Sequence, residues 1–269
     1  MMTLSEYITD NISESILSST HTGKAGLEDE MRQYGLDPAK VTFNADGTID
    51  YDGTVKMNNC GLTKLPFKFR KVNGDFECTV NMLTTLDGCP NECKNLFCNN
   101  NRLTSLQHSP TIVNSFNCNF NNLTSLEGAP KTVNGNFYCL KNELSTLKDG
   151  PETVTGSFYC GHNNLTSLKG LPNKIGNNLD CANNDLTSLK YCPNVIKGSF
   201  YCHNNMLTSL KDGPKQVGND YSCSFNKLTS LEGLPKKLKG YFFCINNTHK
   251  FTELDVLAAC KINIYNIHL

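Results

Sequence analysis

Long apolar runs are missing from this chain. No stretch approaches the ~18 consecutive apolar residues that a membrane-spanning helix requires, so a helical integral membrane protein is not expected. A dominant charge is missing as well. The 25 Lys and Arg balance 25 Asp and Glu, and charged residues make up only 19% of the chain. Without a basic excess, neither nucleic acid nor anionic lipid is expected as a partner. The opening MMTLSEYITD lacks the basic start and apolar block of a secretory signal.

Catalytic signatures are absent too. There is no nucleophile elbow, phosphate loop or HExxH pattern, and His21, His108, His162, His203, His249 and His268 are scattered along the chain. Cys89 and Cys93 form a C-x3-C pair, but no second pair or paired His stands near it to complete a zinc site. Asp46, Asp50 and Asp52 lie in NADGTIDYDG, which lacks the first acid and the bidentate Glu of a calcium loop. Asp180 and Asp220 have no flanking acid to complete a hydrolytic set. The expectation is a protein that is not an enzyme, with no catalytic residues, no metal and no cofactor.

What is present is a repeat. Asparagine occurs 35 times, mostly on a regular beat. A tetrad L-T/S-x-L begins at Leu62, Leu83, Leu103, Leu123, Leu144, Leu165, Leu186, Leu207 and Leu228, with successive starts 20 or 21 residues apart. The unit reads L-T-S-L-x-x-x-P-x-x-V-x-G-x-F-x-C-x-x-N-x, as in LTSLEGAPKTVNGNFYCLKNE at residues 123–143. Tyr51, Gly53, Val55 and Met57 supply the strand half of an incomplete earlier unit. The alternation V-x-G-x-F-x-C predicts a short strand with Val, Gly, Phe and Cys on one face. The Asn that follows is short enough to hydrogen-bond the turn, and in a stack each amide would reach its neighbour, making a ladder. The Pro blocks a long returning helix. One unit cannot bury its own apolar face; a stack buries a continuous core.

The motif LxxL…FxCxxNxL resembles a leucine-rich repeat, and the returns LTSLKGLP (165–172) and LTSLEGLP (228–235) are similar to the short bacterial-effector class. The resemblance implies a leucine-rich repeat solenoid with short parallel strands on its concave face and mostly irregular convex returns, closed by small helical caps. The best-known members of that class add a C-terminal ubiquitin-ligase domain. Only about 20 residues follow the last unit here, so ligase activity is not expected.

The expected organisation is an N-terminal helical segment and cap over residues 1–50, the array of nine units plus the partial one over 51–248, and a C-terminal cap over 249–269. Thr3-Leu4-Ser5-Glu6 reads as a capping box, with Leu4, Ile8, Ile12 and Ile16 on one helical face. A second helix is expected from about Lys24 to Tyr34, ended by Gly35. Phe251–Lys261 reads as a third, N-capped by Thr252, and INIYNIHL as a last strand. The extreme N-terminus also resembles the capsid-targeting leader of T-even-type phage head proteins, which implies cleavage after Glu14 in Ile12-Ser13-Glu14 and residues 1–14 as a leader. The array and C-terminal cap likewise resemble repeat proteins of large tailed phages, which implies either action on a host factor or a head-packaged virion protein using the array as spacer or adhesin.

Nine of the 14 Cys share one register position, from Cys78 to Cys244. Parallel neighbours leave their Cβ atoms about as far apart as the ~4.8 Å between strands, whereas disulfides prefer about 3.8 Å. A column of reduced thiols is expected, and with it a cytoplasmic, reducing compartment. The position between Phe and Cys faces out of the sheet and reads Glu77, Phe97, Asn117, Tyr138, Tyr159, Asp180, Tyr201, Ser222 and Phe243. Neither this column nor its two neighbours contains Lys or Arg, whereas lysines lie on the returns (Lys131, Lys169, Lys190, Lys211, Lys236). Aromatic anchors among small polar residues suit a protein partner, and nucleic-acid stacking would need a basic track beside them. Phe97, Tyr138, Tyr159, Asp180, Tyr201 and Phe243 are therefore the candidate partner-binding residues, centred on Tyr138–Tyr201. Lateral packing of the rings along the sheet is the alternative account of the same column.

Overall fold

The computed structural model describes residues 24–269. The capping box at Thr3, the helical face from Leu4 to Ile16 and the candidate cleavage after Glu14 lie outside the described residues. The repeat winds into a solenoid whose coils add one parallel strand each to an eleven-stranded sheet. The strands follow in chain order from Val55–Lys56 through Phe137–Tyr138 to Phe242–Phe243 and finally Ile267–His268. Register is strict: Phe137 pairs with Phe116 and Phe158, and Tyr138 with Asn117 and Tyr159.

Inside each coil the Phe position, the Cys position and both tetrad leucines are buried. Phe116, Phe137 and Phe158 stack with centroids 5.3 Å apart and nearly parallel rings, so identical residues from successive coils pack on each other. Burying one such side chain stabilises by roughly 1.5–3 kcal/mol, but only once a neighbouring coil covers it.

The asparagine ladder forms as the spacing predicts. Asn163 Nδ2 donates to the carbonyls of Cys160 and Gly161 in its own coil and of Cys139 in the coil before, at 3.0, 3.1 and 3.0 Å. Its Oδ1 accepts the Leu144 N–H at 3.0 Å. The same bonding between neighbouring coils runs from Asn81 to Asn247. The middle residues of the tetrad tighten the return. Ser167 Oγ accepts the Lys169 N–H at 3.2 Å, and Ser188 Oγ the Lys190 N–H at 3.1 Å.

One expectation needs correction. V-x-G-x-F-x-C is not a single strand. Val133 lies in a separate two-residue strand, Thr132–Val133, within a four-stranded parallel sheet, and the chain breaks at Gly135-Asn136 before Phe137–Tyr138 begins. Val, Phe and Cys are buried as expected, while Gly135 is half-buried. Glycine is fitted to this break: a Cβ on Gly156, the same position one coil on, would stand 2.6 Å from the Gly135 carbonyl oxygen of the coil before, so a side chain there would press the two backbones apart. The two 20-residue units are one residue shorter at this point, as in Val113-Asn114-Ser115-Phe116, and their strands, Asn95–Phe97 and Ser115–Asn117, run one residue longer.

Both ends of the array carry small helices. Lys24–Gln33 is followed by Gly35 at φ +72°, and it sets Met31 into the core. A hairpin, Val41–Phe43 with Ile49–Tyr51, joins it to the first coils. Its acids are engaged in the turn: Asp46 accepts the N–H and hydroxyl of Thr48, and Asp50 pairs with Arg70. At the other end, Glu253–Ala259 begins in a reciprocal box between Thr252 and Asp255 and buries Val256.

Removing one rung tests the ladder. Asn163→Ala orphans the buried Leu144 N–H, at about 1–3 kcal/mol, and leaves the carbonyls of Cys139, Cys160 and Gly161 with one donor fewer each. Denaturant unfolding is expected to show a loss of at least that size for Asn163→Ala, and a smaller one for Asn247→Ala, whose rung is only half-buried.

Candidate functional site on the open face of the long sheet

The open face is built by the residues that alternate with Phe and Cys. Tyr138, Tyr159, Asp180 and Tyr201 occupy four consecutive strands in matched register. Tyr138 and Tyr159 stack with centroids 4.9 Å apart and an interplanar angle of 1°. Asn136 donates to the Tyr138 hydroxyl at 2.9 Å and Asn178 to that of Tyr159 at 3.3 Å. Each ring is half-buried, and the two cover one face of each other. Outward placement and lateral packing thus hold together for this column. Phe97 stands apart, with Asn117 between it and Tyr138. Phe243 lies beyond Ser222 and stacks on His268 of the last strand at 4.8 Å, so the chain's own end covers one of its faces.

The flanking polar residues are less available than their chemistry suggests. Asn136 Oδ1 accepts the Ser157 N–H at 2.8 Å, Ser157 Oγ accepts the Asn178 N–H at 3.2 Å, and Asn178 Oδ1 accepts the Ser199 N–H at 2.8 Å. The column before Phe is therefore a second ladder joining coil to coil, and Ser157 and Ser199 are only 2% and 3% exposed. What the open face offers a partner is chiefly its central column.

Within that column Asp180 is distinctive. Its Oδ1 accepts the Ala182 N–H at 2.9 Å. Burial pushes its carboxyl above the ordinary 3.8, against the opposing pull of that N–H and of His203 and His162. Burial also holds His203 below its ordinary value, despite the nearby Asp180. Its Nδ1 is buried without a hydrogen-bond partner. His203 and His162, on the coils to either side, thus act on Asp180 only as weaker electrostatic influences than its burial.

A second feature is illegible as chemistry but visible as geometry. The residue before each ladder Asn sits in the left-handed region at φ 52–56°, and Val80, Phe120 and Phe225 occupy it while 45–50% exposed. Asn59, Asn100, Asn183, Asn204 and Asn246 fill equivalent places, and Asn is the non-glycine residue that tolerates this conformation best. That Asn bias is the signal by which the column was open to recognition.

Among the described residues, no group of three or more His, Cys, Asp or Glu is placed to hold a metal ion, and no helix is long and apolar enough to cross a membrane. All fourteen Cys are free. The column thiols lie against carbonyls of the next coil, Cys118 Sγ to Tyr138 O at 3.3 Å for example. Burial pushes Cys78, Cys93 and Cys192 up to about 12.

These properties generate two expectations. In the native protein a thiol reagent at mild alkaline pH should modify Cys60, the exposed cysteine, and reach the buried column only after denaturation. Native modification of Cys139 or Cys181 would contradict the packing. The second concerns Asp180, whose folded value lies above its unfolded one. The fold favours the protonated acid, a contribution fully present below 3.8 and lost as pH rises through the raised value. Asp180→Asn should therefore melt higher than the parent at pH 7, and the gap should close in acid.

No protein-family model matches the chain, and no curated protein matches it. Among solved structures it is similar to YopM from Yersinia enterocolitica WA-314, at 25% identity and a TM-score of 0.49, over 72% of this chain and 47% of that one. The chain thus spans under half the length of that protein, and none of these findings bears on the resemblance to phage proteins. The coil itself, with parallel strands in register, inward Leu, Phe and Cys columns and an Asn ladder, is that of a leucine-rich repeat solenoid, a fold that typically serves as a binding scaffold.

Proposed function

We propose that the array is a non-enzymatic interaction module that holds a protein partner on its concave sheet, through Tyr138, Tyr159, Asp180 and Tyr201 at the centre and Phe97 and Phe243 toward the ends. One observation carries this reading: a register-locked column of rings opens to solvent on a face whose three outward columns contain no Lys or Arg from Glu77 to Phe243, Lys56 standing only at the first strand beside Glu77. Rigid rings immobilised by stacking bring large contact area with little rotamer entropy left to lose on binding. A nucleic acid would lack counter-charges beside those rings. The free thiols favour a reducing, cytoplasmic setting for the encounter.

Affinity capture from a bacterial lysate tests the site. The triple variant Tyr138→Ala, Tyr159→Ala, Tyr201→Ala should lose proteins that the parent retains, while its far-UV spectrum stays that of a folded solenoid. Equal capture by both would place the docking surface elsewhere.

A further inference from the structure

The middle of the open face carries an acid where its neighbours carry rings, and a role for that acid in recognition rests on the proposed binding at the concave face. Asp180 lies in register between Tyr159 and Tyr201. In the next column the side chains shrink at this place: Gly161 and Ala182 stand between Leu140 and His203. A Cβ added to Gly161 would come within 3.2 Å of Asp180 Oδ1, so the carboxylate lies over the gap that the glycine leaves. Gly161 and Ala182 are themselves buried, but Asp180 is shorter than the rings beside it, so the central column dips between Tyr159 and Tyr201 to a notch with the carboxylate at its base.

The groups in this notch lack a partner of opposite charge. None of the ion pairs among the described residues involves Asp180. Its one protein hydrogen bond, from Ala182, uses a single oxygen. Glu77, the other acid of the central column, is by contrast held by Asn58 at 2.8 Å and stands 4.0 Å from Lys56. His203 Nδ1 adds a buried atom without a partner.

The fold does not need an acid here. Asn117 and Ser222 fill the same position in other coils and leave the sheet's register unchanged. Asp180 stands there although burial disfavours its charged form. An acid placed at a cost to stability marks a candidate functional position.

We propose that this notch receives an arginine side chain of the protein partner. A guanidinium is planar and carries five N–H donors in a fork. It can give two to the carboxylate while its faces lie against the tyrosine rings, combining a charge-assisted bond with cation–π attraction. The face around it holds no Lys or Arg to repel it. An ammonium is a point charge without that fork and satisfies fewer of these groups.

A displayed random-peptide library, selected on the immobilised full chain, tests this. Peptides that depend on Tyr138, Tyr159 and Tyr201 should share an arginine, and replacing it by citrulline, a neutral analogue of similar shape, should weaken binding by about 10-fold or more. Asp180→Asn, and Asp180→Ser as a second variant already represented at Ser222, should abolish the discrimination between arginine and citrulline while remaining folded. Tyrosine-dependent peptides without a basic residue, or with lysine accepted equally well, would overturn the arginine assignment and leave binding at the concave face standing. Failure to recover any peptide that depends on the three tyrosines would overturn both.

Discussion

Each coil of a parallel solenoid must hand its backbone donors and acceptors to the next coil, because nothing within a 20-residue turn can satisfy them. Along the strands the sheet does this. At the corner where the strand ends, the carbonyls turn inward and away from water, and there Asn is the device. One Asn163 amide ties Cys139, Cys160 and Gly161 while its oxygen holds Leu144. A primary amide alone supplies two donors and an acceptor on so short a stem. Its burial forces the preceding residue into the left-handed region, which is why even Val80 and Phe120 adopt a conformation that otherwise favours Gly and Asn. Register, strain and core packing all follow from this corner.

The same strictness makes the open face what it is. Once every coil is locked to its neighbours, equivalent residues stand in straight columns about 4.8 Å apart. Identical rings must then stack, as Tyr138 and Tyr159 do, and a change of residue in one coil produces a local feature in an otherwise uniform surface. Asp180 and the gap beside Gly161 and Ala182 are such a change. Second-ladder residues such as Asn136 and Ser157 show the opposite case, in which outward-looking polar groups are consumed by joining coils. A polar column is thus a poor guide to availability in a solenoid, and an interrupted column is a better one.

The periodicity in the sequence determined the solenoid, its inward columns, the Asn ladder and the placing of Tyr138, Tyr159, Asp180 and Tyr201 on one face, because a repeat of fixed length leaves each position a single environment. The Thr252 cap and the last strand were legible for similarly local reasons. Only the tertiary structure decided the rest. It split V-x-G-x-F-x-C into two strands, with Gly156 set where a Cβ would press on the Gly135 carbonyl of another coil. It covered Phe243 with His268, and it buried Asp180 between Tyr159 and Tyr201 of the neighbouring coils. Contacts between coils depend on how far each turn is displaced along the axis, a quantity no single unit contains.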